Sequence, residues 1–261
     1  MGNRLGVIGY GFIGSSVVDK LLEDSMGFDL IGIADIKEIK NPPVPQIEVD
    51  RLIEMCDVIL EAGGHSVVDK YAVQILSSGL TLVIVSTGAL SDPILEKKVM
   101  NVGTGDLVLC NGAIGGVDYL QSVGIMGGIE SVCLTSTKRP GVLIQPWMDM
   151  DLKEKLKREE SKVIVFEGNA REAAKAFPKS TNVSATIAMT IGDWDKVKIR
   201  IVADPRASNT THQIEVFGEA GVSKFEVANL PSTQSPATSG IVPFSVLKTL
   251  RNLSDKSLRI I

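Results

Sequence analysis

The chain has 261 residues, 44 % of them hydrophobic and 22 % charged, with a net charge of −4. That is the make-up of a soluble globular protein of one large or two small domains, and the absence of a basic stripe excludes nucleic acid as an expected partner. No apolar run approaches the roughly 20 residues needed to span a membrane; three scattered cysteines and two histidines offer neither a disulfide framework nor a zinc spacing, and the first strand begins too early for a signal peptide, so a cytoplasmic protein without a metal is expected.

Leu5 to Ile8 is a short apolar run that reads as a buried parallel strand. It leads into Gly9-Tyr10-Gly11-Phe12-Ile13-Gly14, which fits G-x-G-x-x-G. A helix over Ser15 to Glu23 follows, with Val17, Val18, Leu21 and Leu22 on one face. Strand, glycine turn and helix in that order is the context of a dinucleotide fingerprint. Gly9 permits the tight turn, Gly11 lets a pyrophosphate approach the backbone, and Gly14 lets helix and strand pack closely. Free N–H groups at the helix start, those of Phe12 and Ile13 included, favour the phosphates. Leu30 to Ala34 is the next strand, and Asp35 at its end stands where such folds hold the adenosine ribose. The expected cofactor is NAD or NADP. A bare Asp35 repels the 2′-phosphate of NADP, while Lys37 and Lys40 are near enough in sequence to soften that repulsion.

Asn41-Pro42-Pro43-Val44-Pro45 reads as an extended surface loop. Arg51 to Met55 is a short helical turn, and Asp57 to Ala62 a strand that ends in Gly63-Gly64-His65-Ser66. A helix over Val67 to Leu76 and a strand over Thr81 to Val85 come next. Asp92 and Pro93 then open a helix through Met100, as cap and first-turn proline. Asp106 to Cys110 is the last strand of this alternation, the pattern of a parallel sheet covered on both faces. His65, at the C-terminal end of a strand, is a candidate for lining the cofactor cleft.

The rhythm changes after Asn111. Asn111 to Gly116 is a second glycine-rich turn, followed by a helix over Val117 to Val123 and a strand over Ser131 to Thr137. Asp151 to Glu160 is almost all charged and reads as a solvated helix or loop. Lys162 to Glu167 is a strand; Ala170 to Ala176 and Asn182 to Ile191 are helices. Lys196 to Ile201, Thr211 to Phe217 and Ser223 to Val227 alternate polar and apolar residues and are expected as three antiparallel strands. Pro231 to Gly240 is a crossover linker, and Ile241 to Leu253 an amphipathic helix expected to return to the first domain. The fold class is therefore α/β. A Rossmann-type parallel-sheet domain spans 1–111 and is completed by the C-terminal helix 240–261. A second α+β domain over 112–239, with an open mixed or antiparallel sheet, is expected to carry substrate binding, catalysis and the dimer contact.

Several segments of the second region, read with the first, resemble the L-aspartate dehydrogenase family over nearly the full length. They are Asn111-Gly112-Ala113-Ile114-Gly115-Gly116-Val117-Asp118, Phe166-Glu167-Gly168-Asn169-Ala170-Arg171-Glu172-Ala173 with Phe177-Pro178-Lys179, Asn182-Val183-Ser184-Ala185-Thr186, Ala203-Asp204-Pro205 with Asn209-Thr210-Thr211-His212-Gln213-Ile214-Glu215-Val216, and Asn229-Leu230-Pro231-Ser232. The resemblance implies NAD(P)-dependent oxidation of L-aspartate to iminoaspartate, or in reverse the reductive amination of oxaloacetate with ammonia. It implies a homodimer and a possible hand-over of product to quinolinate synthase for NAD biosynthesis. It assigns His212 to catalysis, and Ala113 and Asn182 to the cofactor. Two departures stand out: Thr210 and Thr211 both separate Asn209 from His212, and Gly63-Gly64-His65 fills a slot that more often reads as alanine and serine then glutamine, which leaves the role of His65 open.

Position alone fits His212 either as a core histidine or as a catalytic one; strand alternation puts it on the side of Ile214 and Val216. The chemistry suits it, because the substrate ammonium must lose a proton before hydride can leave, and histidine titrates near neutrality. A dicarboxylate substrate needs cations and donors. Lys138, with Arg139 beside it, and Thr210 and Thr211 are the candidates. Two rival readings are a related two-domain dehydrogenase of the homoserine type and a non-catalytic dinucleotide sensor.

Overall fold

A computed structural model describes residues 3–158, 160–178 and 182–254. It divides into two compact units, Met1–Gly112 with Val242–Ile261, and Ala113–Ile241.

The first unit alternates strand and helix: β1 (Asn3–Ile8), α1 (Phe12–Glu23), β2 (Phe28–Ala34), α2 (Val49–Met55), β3 (Val58–Glu61), α3 (His65–Ser77), β4 (Thr81–Ile84), α4 (Pro93–Met100) and β5 (Leu107–Leu109). The strands form one all-parallel sheet in the order β2-β1-β3-β4-β5. Leu5, Val7, Ile59, Leu60, Leu82 and Ile84 are inaccessible or nearly so, which is why these short runs lack polar alternation. The chain reverses its winding between β1 and β3. Ligands of open α/β sheets sit beyond the carboxyl ends of the strands at such a switch point. The proline-rich loop after β2 stays outside the sheet, as expected. Its end meets β2 where Ile33 donates to Pro45 and accepts from Ile47, and where Pro45 and Ile47 lie against Gly32. Asp92 caps α4 by accepting from Ile94 and Leu95, with Pro93 at the first helical position.

The second unit contains α5 (Val117–Met126), β6 (Ile129–Lys138), α6 (Met150–Arg158), β7 (Val163–Asn169), α7 (Ala170–Ala176), α8 (Asn182–Ile191), β8 (Val197–Ala203), β9 (Thr210–Gly218) and β10 (Gly221–Asn229). Its sheet runs β10-β9-β6-β8-β7 and is mixed. The expectation of three successive antiparallel strands fails at one point. The strand over Val197–Ala203 does not pair with its successor; it lies parallel to β6, which separates it from β9. The long path through α6, β7, α7 and α8 allows this, since parallel pairing needs a crossover rather than a hairpin. Alternation in each strand then splits the sheet. Val132, Leu134, Ile199, Ile201, Ile214 and Val216 are buried, whereas Lys198, Arg200, Glu167 and Lys224 stand on the polar side. Asn169 and Glu172 form a reciprocal capping box at α7, a local reason for the Gly-Asn-Ala-Arg-Glu run.

The C-terminal helix α9 (Val242–Ser254) belongs to the first unit and packs on α1. Val246, Leu247 and Leu250 are buried. Each such side chain contributes about 1.5–3 kcal/mol on burial. Ser254 Oγ also donates to the Met26 carbonyl at 2.6 Å. The expected C-terminal part of this helix, 255–261, and Lys179 of the Phe-Pro-Lys motif lie outside the described residues.

Candidate active site

In the first unit, the glycine turn, Asp35 and Gly63 converge at the switch point. A cleft of about 450 Å³ is lined by Gly9, Tyr10, Gly11, Asp35, Ile36, Lys37, Glu38, Ile39, Ala62 and Gly63. Asp35 Oδ2 accepts from the Tyr10 N–H at 2.7 Å, and Oδ1 from the Lys37 N–H at 2.9 Å. A carboxylate offers about four lone-pair sites, so it retains capacity for ribose hydroxyls.

The three fingerprint glycines have different causes. Gly9 has φ +98°, and a Cβ there would stand 2.5 Å from backbone atoms of Ala62 and Gly63. At Gly14 a Cβ would meet the Gly9 carbonyl oxygen at 1.9 Å. Both glycines are demanded by the fold. Gly11 is not: a Cβ there would meet nothing within 4 Å. The room beside Gly11 opens into the cleft, at the N-terminus of α1, where no side chain caps the free N–H groups of the first turn. Phe12 and Ile13 occupy that turn. This cradle fits the pyrophosphate of a dinucleotide.

Behind the turn lies a group that the sequence reading passed over. Glu61, at the end of β3, is 1 % exposed. Its Oε1 accepts from the Gly63 and Gly64 N–H groups at 2.8 and 2.7 Å and from Ser86 Oγ at 2.9 Å; its Oε2 accepts from the Ser86 N–H at 3.0 Å. Burial pushes this carboxyl upward against those four hydrogen bonds. A glutamate closing an apolar strand just before Gly-Gly was the available signal. His65 opens α3 one residue later, half-buried, beyond the residues that line the cleft. Burial also raises the Cys56 thiol to about 11 and that of Cys110 to about 12, so neither is a thiolate at neutral pH.

In the second unit, β6 and β9 bring four side chains together. Ser136 pairs directly with His212, and Thr137 with Thr211. Lys138 lies two residues beyond Ser136, and Thr210 two before His212. All four of Ser136, Lys138, Thr210 and His212 are at most 7 % exposed and share the buried face. Ser136 Oγ lies 2.9 Å from His212 Nδ1. Burial first, and the Lys138 charge second, lower the imidazole to about 3, so it is neutral at physiological pH. Burial lowers the Lys138 amine to about 8. No carboxylate pairs with Lys138 among the described residues.

The structure separates candidates that sequence had grouped. Arg139 is exposed, and its Nε donates to the Ala207 carbonyl at 2.8 Å. Thr211 lies on the opposite face with Gln213 and Glu215, because side chains alternate along a strand; adjacency to His212 does not bring it to the cluster. Ala113 is buried and its carbonyl accepts from Asn229 Nδ2 at 2.8 Å. Asn182 is the half-buried first residue of α8. Ser136 was missed, although its parity with Lys138 in an alternating strand marks it.

Comparison with known proteins covers both units. Residues 118–253 match the model of the aspartate dehydrogenase C-terminal family, and residues 9–103 match that of the homoserine dehydrogenase NAD-binding domain. An L-aspartate dehydrogenase of Archaeoglobus fulgidus is 36 % identical, over 96 % of this chain and 98 % of that protein. Another, of Methanosarcina mazei, is 31 % identical over 96 % of each. The crystal structure of aspartate dehydrogenase from Thermotoga maritima superposes over 100 % of both chains with a TM-score of 0.80, at 27 % identity.

Proposed function

The chain belongs to the aspartate dehydrogenase family, and we infer that it is an NAD(P)-dependent oxidoreductase converting L-aspartate to iminoaspartate. The observation that carries this reading is the cluster of His212, Ser136, Lys138 and Thr210, with an amine that has no carboxylate partner among the described residues and a neutral imidazole on a single buried face.

Gly9, Gly11, Phe12, Ile13, Gly14 and Asp35 hold the dinucleotide, and the family resemblance adds cofactor roles for Ala113 and Asn182. When bound, that cofactor supplies the acceptor for the hydride from Cα. The protein's own residues manage binding and protons. Lys138 and Thr210 receive a substrate carboxylate, which gives the buried amine its missing counter-charge. His212 is neutral and accepts a proton from the substrate ammonium, freeing the nitrogen lone pair. The incoming carboxylate also offsets the Lys138 charge that depresses the imidazole, so substrate strengthens its own base. The imidazolium sheds its proton to solvent, and the freed imidazole takes the proton that water loses as it adds to the iminium; the resulting carbinolamine expels ammonia and leaves oxaloacetate.

The homoserine-type reading loses weight because the aspartate dehydrogenase match covers the unit carrying the cluster. The sensor reading gives no use for a buried amine beside a buried imidazole. A homodimer through the second sheet, residence in the cytoplasm, and delivery of iminoaspartate to quinolinate synthase complete the proposal. Reductive amination tests it directly. Oxaloacetate, ammonia and reduced cofactor should yield L-aspartate; oxidation of the cofactor without ammonia, or formation of another amino acid, contradicts the assignment.

A further inference from the structure

His212 is held from one side only. Its Nδ1 faces Ser136 Oγ at 2.9 Å, and no other hydrogen bond engages the ring among the described residues. The partner is a hydroxyl, which either donates to a ring nitrogen or accepts from it. The two cases differ chemically. If Ser136 donates, the ring proton sits on Nε2 and that nitrogen cannot accept another. If Ser136 accepts, the proton sits on Nδ1 and the Nε2 lone pair is free.

We propose that Ser136 is a positioning residue that accepts the Nδ1–H of His212, fixing the tautomer in which Nε2 is the proton acceptor. The proposal rests on the functional reading above. Its geometry comes from strand register. Ser136 and His212 are directly paired across β6 and β9, both at most 5 % exposed, so the two side chains face one another within the buried layer. A carboxylate in place of Ser136 would orient the ring equally well but would stabilise imidazolium before substrate arrives. A hydroxyl orients the ring and leaves it uncharged. The other groups facing His212 agree with this: on the same buried face Lys138 is cationic and Thr210 neutral, and the cluster carries no acid of its own.

With only two histidines in the chain, His65 and His212, nitrogen-15 NMR of the imidazoles in the full-length protein is readable, with His65→Gln assigning the two rings. The wild-type protein at neutral pH should show His212 neutral with its proton on Nδ1. Ser136→Ala should move that proton toward Nε2 and lower kcat by about tenfold or more, with KM for L-aspartate and Kd for the dinucleotide within about twofold of wild type. Ser136→Thr should restore tautomer and rate. A wild-type ring protonated on Nε2 overturns the proposal without need of a variant, and so does Ser136→Ala with unchanged tautomer or kcat. Loss of kcat and KM together, beyond rescue by threonine, marks Ser136 as merely structural and also overturns it. If wild-type protein fails to turn over L-aspartate, the functional reading falls, while the NMR result still decides the Ser136–His212 relationship.

Discussion

Tyr10 donates its backbone N–H to Asp35 Oδ2 at 2.7 Å, joining residues 25 positions apart. The acid expected to read the ribose is thereby tied to the turn expected to hold the pyrophosphate. Asp35→Asn keeps an acceptor but turns one oxygen into a donor and removes the charge that repels a 2′-phosphate. Titration calorimetry should show weaker NAD binding and a preference shifted toward NADP. Equal effects on both cofactors would leave Asp35 only a scaffold role.

Two glycines of one turn should behave oppositely. Gly14→Ala forces a Cβ against the Gly9 carbonyl and should lower the thermal midpoint strongly, since overpacking costs about 1–3 kcal/mol or more. Gly11→Ala meets no protein atom within 4 Å. It should leave stability near wild type and weaken dinucleotide binding by about tenfold or more. Unaltered binding by Gly11→Ala would remove the phosphate from that position.

Much of this arrangement was legible in sequence. The β-α alternation, the fingerprint and Asp35 rest on local periodicity and turn chemistry, so they could be read one segment at a time. The order of the second sheet could not, because placing β6 between β8 and β9 is a long-range choice that alternation does not encode. The same holds for the site. His212 and Lys138 could be marked singly, but their meeting on one buried face beside Ser136 depends on the register of β6 against β9. Thr211 failed to join them for the same reason that Thr210 succeeded, the two-residue period of a strand.

Lys138 should trade stability for binding. Its folded pKa, about 8, lies below the ordinary 10.5. The cost of the buried charge is therefore fully present below pH 8 and is relieved as pH rises toward 10.5. Lys138→Met at neutral pH should raise the thermal midpoint by a few degrees. It should also raise KM for L-aspartate by about a hundredfold, a loss of about 2–3 kcal/mol. A destabilised variant with unchanged KM would mean that Lys138 serves packing alone.

His212 should shape the acid limb of stability. The group is neutral when folded down to about pH 3 but takes up a proton near 6.5 when unfolded. The unfolded chain binds more protons between those values, so stability falls as pH drops from 6.5 toward 3. Chemical denaturation of His212→Gln between pH 6.5 and 4.5, above most carboxylate titrations, should show a shallower fall than wild type. Parallel curves would mean that the imidazole is not buried in its neutral form.

The most direct measurement follows reduced nicotinamide formation by wild-type protein and His212→Ala with L-aspartate, L-glutamate, L-alanine and L-homoserine, with NAD and NADP in turn. The account predicts turnover by wild type with L-aspartate alone. It predicts a fall in kcat of about a hundredfold or more in His212→Ala, with dinucleotide affinity unchanged. Preference for homoserine, or full activity in His212→Ala, would contradict it.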